Sequence, residues 1–246
     1  MTQKKSLNIA IIGYGKMGKL IHQIAESRGH KVNFIVSSKN KDFTAQDLKD
    51  HQIDAAIEFS LPEAASANIQ KCIEAKVPVA IGTTGWYHDQ DKIQKAVTEN
   101  EGCILPATNF SLGVNIFFEI NRKLAALMNS QNDYDVEVEE IHHTEKLDAP
   151  SGTGITTAEI ILDELDRKSS WLNDAEVQPN ELLIKSVREP NVPGTHIVKY
   201  ESDIDKIELL HEAKNRNGFA LGAVIAAEFI HNKKGIYSMQ DVLQLN

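Results

Sequence analysis

Residues 7–18, LNIAIIGYGKMG, constrain this chain more than any other stretch. The run LNIAII has the length of a buried strand, and Gly13 stops it. Met17, Leu20, Ile21, Ile24 and Ala25 then recur at helical spacing and form one apolar face, which Gly29 closes. Between strand and helix lies GYGKMG, a GxGxxG pattern in the context that dinucleotide binding requires. Gly13 permits the tight turn, Gly15 lets the backbone approach a pyrophosphate, and Gly18 allows close helix–sheet packing. The pyrophosphate charge would face the helix N-terminus.

Further strand–helix units follow. KVNFIVSS (31–38), AAIEFS (55–60), VPVAIGTTG (77–85) and GCILPATNF (102–110) read as strands, and Pro62 suits the first turn of an intervening helix. A polar helix precedes the last of them, ending near residue 100. Strands alternating with helices predict a Rossmann-type, doubly wound parallel sheet. The pattern changes near residue 111. An amphipathic helix over about 112–129 leads to an alternating strand, DYDVEVEEIHH, and then to a helix over 152–165. ELLIKSVRE, GTHIVKYES and DKIELLHEA then follow as strands without helices between them. They predict a second α+β domain with a mixed, largely antiparallel sheet. One face of that sheet must be covered by a helix or another subunit. The apolar helix over 218–233 can return to the first domain, so the first domain comprises 1–110 with 217–246 and the second 111–216. Two chain crossings suggest hinges near 110 and 216 that close the domains over a substrate.

Composition narrows the function. Lys and Arg number 26 against 35 Asp and Glu, a net charge of −9 that argues against a nucleic-acid partner. No apolar run approaches the roughly 20 residues of a membrane span. Cys72 and Cys103 form no metal-ligand spacing and no disulfide framework, which suits a reducing cytoplasm. The N-terminal apolar run enters a glycine loop and reads as a strand, not a signal peptide.

A ribose 2′-hydroxyl usually meets Asp or Glu at the end of the second strand. Here Ser37, Ser38 and Lys39 stand there, and hydroxyls beside an ammonium suit a 2′-phosphate, which favours NADPH over NADH. Gly82, Thr83 and Thr84 follow the fourth strand, and Ala107, Thr108, Asn109 and Phe110 follow the fifth. Both segments fall at the carboxyl edge of a parallel sheet, where ligands bind.

EEIHHTEKLDAPSGTG, 139–154, crowds two imidazoles, an ammonium and a Ser-Gly-Thr turn into one short stretch. Hydride addition to a conjugated imine or carbonyl creates charge that must be protonated, and histidine is a suitable donor. Lys146 offers a point charge, and a helix start at Ser151, Gly152 and Thr153 offers donors to an anion. Neighbours on a strand face opposite sides, so His142 and His143 have different roles unless the strand ends between them. HHxxK lacks the i, i+4 pair of a helical zinc site, and no metal is expected.

GYGKMG, IGTTG, ATNFSLGVN and HHTEKLDAPSGT, taken in order, resemble the 4-hydroxy-tetrahydrodipicolinate reductase (dihydrodipicolinate reductase) family over nearly the whole chain. The resemblance implies reduction of 4-hydroxy-tetrahydrodipicolinate to tetrahydrodipicolinate with NADPH or NADH, on the route to diaminopimelate and lysine. It implies a homotetramer joined through second-domain sheets, so that domain would serve substrate binding and oligomerisation. It implies His142 as proton donor and acceptor, Lys146 as a second catalytic group, and His143, Ser151, Gly152 and Thr153 as ligands of a dicarboxylate. It places Gly13, Tyr14, Gly15, Lys16 and Met17 at the cofactor, together with Gly82 to Thr84 and Ala107 to Phe110. Arg188 and His196 are supporting candidates. The family's acidic ending of the second strand is absent here. Another two-domain dehydrogenase, such as an aspartate dehydrogenase, or an inactive nucleotide sensor would share the fingerprint. Neither would need the PSGT turn beside HHxxK.

Overall fold

Alternate side chains of β1 (Asn8–Ile12) enter two different cores, Ile9 and Ile11 on one face of the sheet and Ala10 and Ile12 on the other. That is the two-residue period of a strand buried on both faces. The structure is a computed structural model that describes residues 6–40 and 42–245. It divides into two compact units, one of the residues up to Leu112 with those from Asn217 onward, the other of Gly113–Arg216.

In the first unit, β1 lies between β2 (Lys31–Val36) and β3 (Ala55–Glu58), followed by β4 (Val79–Ile81) and β5 (Cys103–Pro106). All neighbouring strands of this sheet run parallel. The helices α1 (Lys16–Ser27) and α7 (Asn217–Ile230) cover one face. The other face is covered by α2 (Ala45–Asp50), α3 (Pro62–Ala75) and α4 (Gln90–Asn100). The chain winds one way from β1 to β2 and the other way from β3 onward, so the strand order reverses beside β1. A ligand crevice forms where such a reversal meets the carboxyl ends of the strands. Two small elements complete the unit and were not expected: β11 (Gly235–Ile236), a sixth strand beside β5, and α8 (Met239–Leu243). The helix α2 was also missed. Elements this short show no measurable period, yet α2 and α8 each start with a capping box, Thr44 with Asp47 and Ser238 with Asp241.

The second unit has a five-stranded sheet of order β10 (Lys206–Glu212), β9 (Thr195–Glu201), β6 (Asp135–His142), β8 (Glu181–Arg188), β7 (Ser170–Asn173). The sheet is mixed, as expected, but not largely antiparallel. β6 pairs parallel with β8, and the unforeseen β7 also pairs parallel with β8, leaving β6–β9 and β9–β10 antiparallel. The long α6 crossover from β6 toward β8 permits the parallel arrangement, which no hairpin could make. The helices α5 (Leu112–Met128) and α6 (Gly152–Glu164) cover one face, packing Phe117, Phe118, Ile160 and Ile161 on Val138, Ile184, Val198 and Tyr200. Along β6, Val136, Val138, Glu140 and His142 all point to the buried side. The same alternation that builds the core therefore carries a carboxylate and an imidazole into its end. On the opposite face, Lys199 bonds Glu139 at 2.8 Å and Glu137 at 3.1 Å.

Candidate active site

In the first unit the glycine loop is held by the sheet it leaves. Gly13 has φ +98°, and its N–H donates to the Val36 carbonyl at 2.9 Å. A Cβ at Gly13 would lie 2.0 Å from the Phe59 carbonyl oxygen, so the ends of β1 and β3 leave no room for a side chain. Gly15 is the N-cap of α1 and supplies no side-chain cap, so the helix's first N–H groups lack that common partner. The loop opens on a cleft of about 380 Å³ lined by Gly15, Lys16, Met17, Phe59, Thr83 and Thr84, among others. A second cleft of about 200 Å³ shares Met17, Phe59 and Gly82 and extends to Ala107, Thr108, Asn109 and Phe110. The three expected segments thus converge in one unit. Tyr14 departs from the group, because its hydroxyl bonds His22 Nδ1 at 2.7 Å.

Sequence reasoning missed Phe59, whose ring lines both clefts and would meet any Cβ at Gly82 at 2.1 Å. It also missed the fully buried Glu58, which accepts from the Ser60 hydroxyl and from Asn68 at 3.4 Å. Burial raises the Glu58 carboxyl above the usual carboxylate range, opposed by bonds from Ser60, Thr83 and Asn68. Ser60 N–H also reaches Thr83 Oγ1 at 2.8 Å, which ties the end of β3 to the loop after β4. A Glu-Phe-Ser ending on a buried strand was the available signal.

Ser37, Ser38 and Lys39 lie outside the linings of both clefts, in a turn after β2. Asn40 Oδ1 closes that turn by accepting from Ser37 N–H at 2.8 Å and Ser37 Oγ at 2.9 Å. Ser38 and Lys39 remain exposed at its tip.

In the second unit the cluster centres on Glu140, which is fully buried. Its carboxylate accepts from Ser151 N–H at 3.0 Å, from the Ser151 hydroxyl, and from Ser186 Oγ at 3.0 Å. Arg188 Nη1 is 3.7 Å away. His142 Nδ1 and His196 Nε2 lie 3.9 and 3.8 Å from Oε2, too far for hydrogen bonds, and the two rings meet edge to face. Glu140, His142 and His196 have the spacing of metal ligands, with their ligand atoms within 4.8 Å of one another. The N–H, O–H and guanidinium groups around the carboxylate instead suit an acceptor already engaged by the protein.

Burial drives the His142 imidazole down to about 4. The Glu140 carboxylate resists that shift, while Lys146 and Arg188 reinforce it. His196 falls to about 3 for the same principal reason, with His142, His211 and Lys146 adding to it. The sequence suggested a histidine as proton donor, and burial in the site as it stands favours the neutral ring. Outside the strand, His143 is half-buried and its Nε2 faces Arg216 Nη2 at 3.3 Å. The two neighbouring histidines therefore occupy different environments. Lys146 Nζ bonds both oxygens of Asp148 at 2.8 and 2.9 Å. Burial acts to raise the Asp148 carboxyl, but the Lys146 bonds and charge outweigh it and hold the group low.

The Ala149–Pro150 peptide is cis, and Ser151 then caps α6 by accepting from Gly154 N–H at 3.0 Å. Ser151 was expected to offer donors to a substrate anion, but both its N–H and its hydroxyl are turned to Glu140. At Gly152, by contrast, nothing beyond its chain neighbours and its own helical turn lies within 4 Å of where a side chain would begin. Gly152 is therefore the open position of the turn, while Thr153 is buried.

Comparison with known proteins gives the family. Residues 7–110 match the family model described as dihydrodipicolinate reductase, N-terminus, and residues 113–243 match dihydrodipicolinate reductase, C-terminus. A 4-hydroxy-tetrahydrodipicolinate reductase from Christiangramia forsetii is 50% identical over 237 residues, covering 96% of this chain and 98% of that protein. One from Neisseria meningitidis serogroup A is 34% identical, covering 93% and 87%. The fold is similar to that of a dipicolinate-bound dihydrodipicolinate reductase from Paenisporosarcina, with a TM-score of 0.73, 22% identity and coverage of 95% and 98%. Matched across both halves and half-identical to a curated member over nearly its full length, the chain belongs to the dihydrodipicolinate reductase family of NAD(P)H-dependent oxidoreductases.

Proposed function

We propose that this chain reduces 4-hydroxy-tetrahydrodipicolinate to tetrahydrodipicolinate, that NADPH is its preferred reductant, and that His142 is its proton donor. The observation that carries the chemistry is Glu140, which touches the start of α6 and lies beside His142, so that an anion cradle and an imidazole share one buried neighbour. The residues around Gly15 fit a dinucleotide pyrophosphate, because the α1 N-terminus is open and uncapped there. A bound NAD(P)H supplies the hydride. Gly152 and Thr153 take one substrate carboxylate at the α6 N-terminus, and His143 and Lys146 take the other. Lys146 exchanges Asp148 for the substrate at small cost, because partly exposed pairs contribute at most about 1 kcal/mol.

His142 is a neutral ring in the free site. A dianion beside it favours the imidazolium, the reverse of what burial does, so substrate binding raises the ring's proton affinity and the ring takes from solvent the proton it donates. The absence of a carboxylate among residues 37–40, with Lys39 exposed at the tip, supports a 2′-phosphate partner. Dihydrodipicolinate reduction serves diaminopimelate and lysine synthesis, and we place it in the cytoplasm. No helix among the described residues is long and apolar enough to cross a membrane. The outer face of the second sheet, with Leu210 55% exposed, supports association into a homotetramer.

A coupled assay tests this function. Substrate is generated enzymatically from pyruvate and aspartate semialdehyde, and oxidation of NADPH and NADH is followed separately. Turnover with a higher kcat/KM for NADPH is expected. Dinucleotide binding without turnover refutes the reaction, and a preference for NADH refutes the role of Ser37 to Lys39.

A further inference from the structure

Glu140 is the one carboxylate in the second unit that is wholly buried among groups from three strands and a helix start. It stands on β6, accepts from Ser186 on β8, lies near Arg188 on β8 and His196 on β9, and bonds Ser151 at the cap of α6. Burying a carboxylate is costly unless donors replace its water, and here they do. Their distribution decides what the group does. The two imidazoles are 3.8 and 3.9 Å away, beyond hydrogen-bond reach, so Glu140 does not orient them as the acid of a triad would. Its direct bonds to the start of α6 go to Ser151, through both N–H and hydroxyl. Gly154 shows how tightly this is packed: a Cβ there would sit 2.6 Å from Glu140 Oε2. The residue at 154 is glycine because the carboxylate occupies that space.

We propose that Glu140 is a positioning residue which, by gripping Ser151, fixes the anion-binding start of α6 relative to His142 and thereby sets affinity for the dicarboxylate. This rests on the assignment of Gly152 and Thr153 to a substrate carboxylate. Ser151 then acts as a strut between Glu140 and the helix, and the substrate meets the residues that follow it.

The test uses two variants of different kinds. Glu140→Gln keeps the shape but sets an amide donor against the Ser151 donors. Gly154→Ala removes no polar group and displaces the carboxylate by volume alone. Binding of pyridine-2,6-dicarboxylate, a planar dianion of the substrate's outline, is measured by calorimetry beside NADPH binding and steady-state kinetics. Each variant is expected to weaken dicarboxylate binding and raise substrate KM at least tenfold, while NADPH affinity stays within twofold and kcat falls less than KM rises. Combined, the two substitutions are expected to lose less than the product of the single losses, because both break one contact. Dicarboxylate affinity within twofold of the parent in a folded variant overturns the proposal, as does a fully multiplicative double variant. If Glu140→Gln fails to fold, the folded Gly154→Ala protein gives the answer alone. His142→Gln separates the two assignments: retained kcat there removes His142 as proton donor and leaves the Glu140 result standing.

Discussion

His196 makes the stability of this protein depend on pH in a way that can be worked out. The ring is almost fully buried, and burial takes it from the 6.5 of an unfolded histidine to about 3. Its folded value is depressed, so the neutral ring costs nothing above pH 6.5. Below that, the unfolded chain takes a proton that the folded ring refuses, and stability falls until the pH reaches the folded value. Each pH unit inside that window costs about 1.4 kcal/mol. At pH 4.5, two units below 6.5, the loss is about 3 kcal/mol. The figure hardly changes if the folded value lies a unit higher, since pH 4.5 would still be above it. That is a large part of the roughly 5–15 kcal/mol by which domains are stable. Replacing His196 with Gln removes the titration and keeps a polar side chain of similar reach. Urea unfolding followed by circular dichroism at pH 7.5, 6.5, 5.5 and 4.5 gives the difference between parent and variant, in which shared carboxylate titrations cancel. The variant is expected to gain about 2–3 kcal/mol on the parent between pH 6.5 and 4.5. A difference that stays constant across that range refutes the argument that the buried ring stays neutral.

Gly13→Ala combines a positive φ with a Cβ 2.0 Å from a backbone oxygen, so β1 and β3 must part at their ends; a loss of about 1–3 kcal/mol in stability and of most NADPH affinity is expected, read by thermal unfolding and calorimetry. Lys39→Glu places a carboxylate at the tip of the turn after β2 and is expected to lower kcat/KM for NADPH at least tenfold while sparing or raising that for NADH.

Much of the glycine-loop side was legible because its signals are local. Gly13, Gly15 and Gly18 are set by the steric needs of one turn, and the strand and helix beside them each repeat their own period. The same reasoning placed Gly82 to Thr84 and Ala107 to Phe110 at the carboxyl edge, and they line neighbouring clefts. It overlooked Phe59, whose importance depends on two other segments approaching its ring. It also assigned the Ser151 donors to a ligand, because sequence distance gives no sign that Glu140 lies beneath them. A local clue existed: Glu140 and His142 stand two apart on one strand, so both face the core if either does.

The order of the longer strands and helices, the glycine loop and the crowding of HHTEKLDAPSGT were determined by the sequence alone, because propensity, turn chemistry and alternation act over a few neighbouring residues. Tertiary structure decided the rest. β6 and β9 pair residues about sixty apart, β8 arrives beside β6 in parallel, and only their meeting brings Arg188, Ser186 and His196 around Glu140. A buried charge is tolerated only where distant parts of the chain supply its partners, and no window of neighbouring residues contains them.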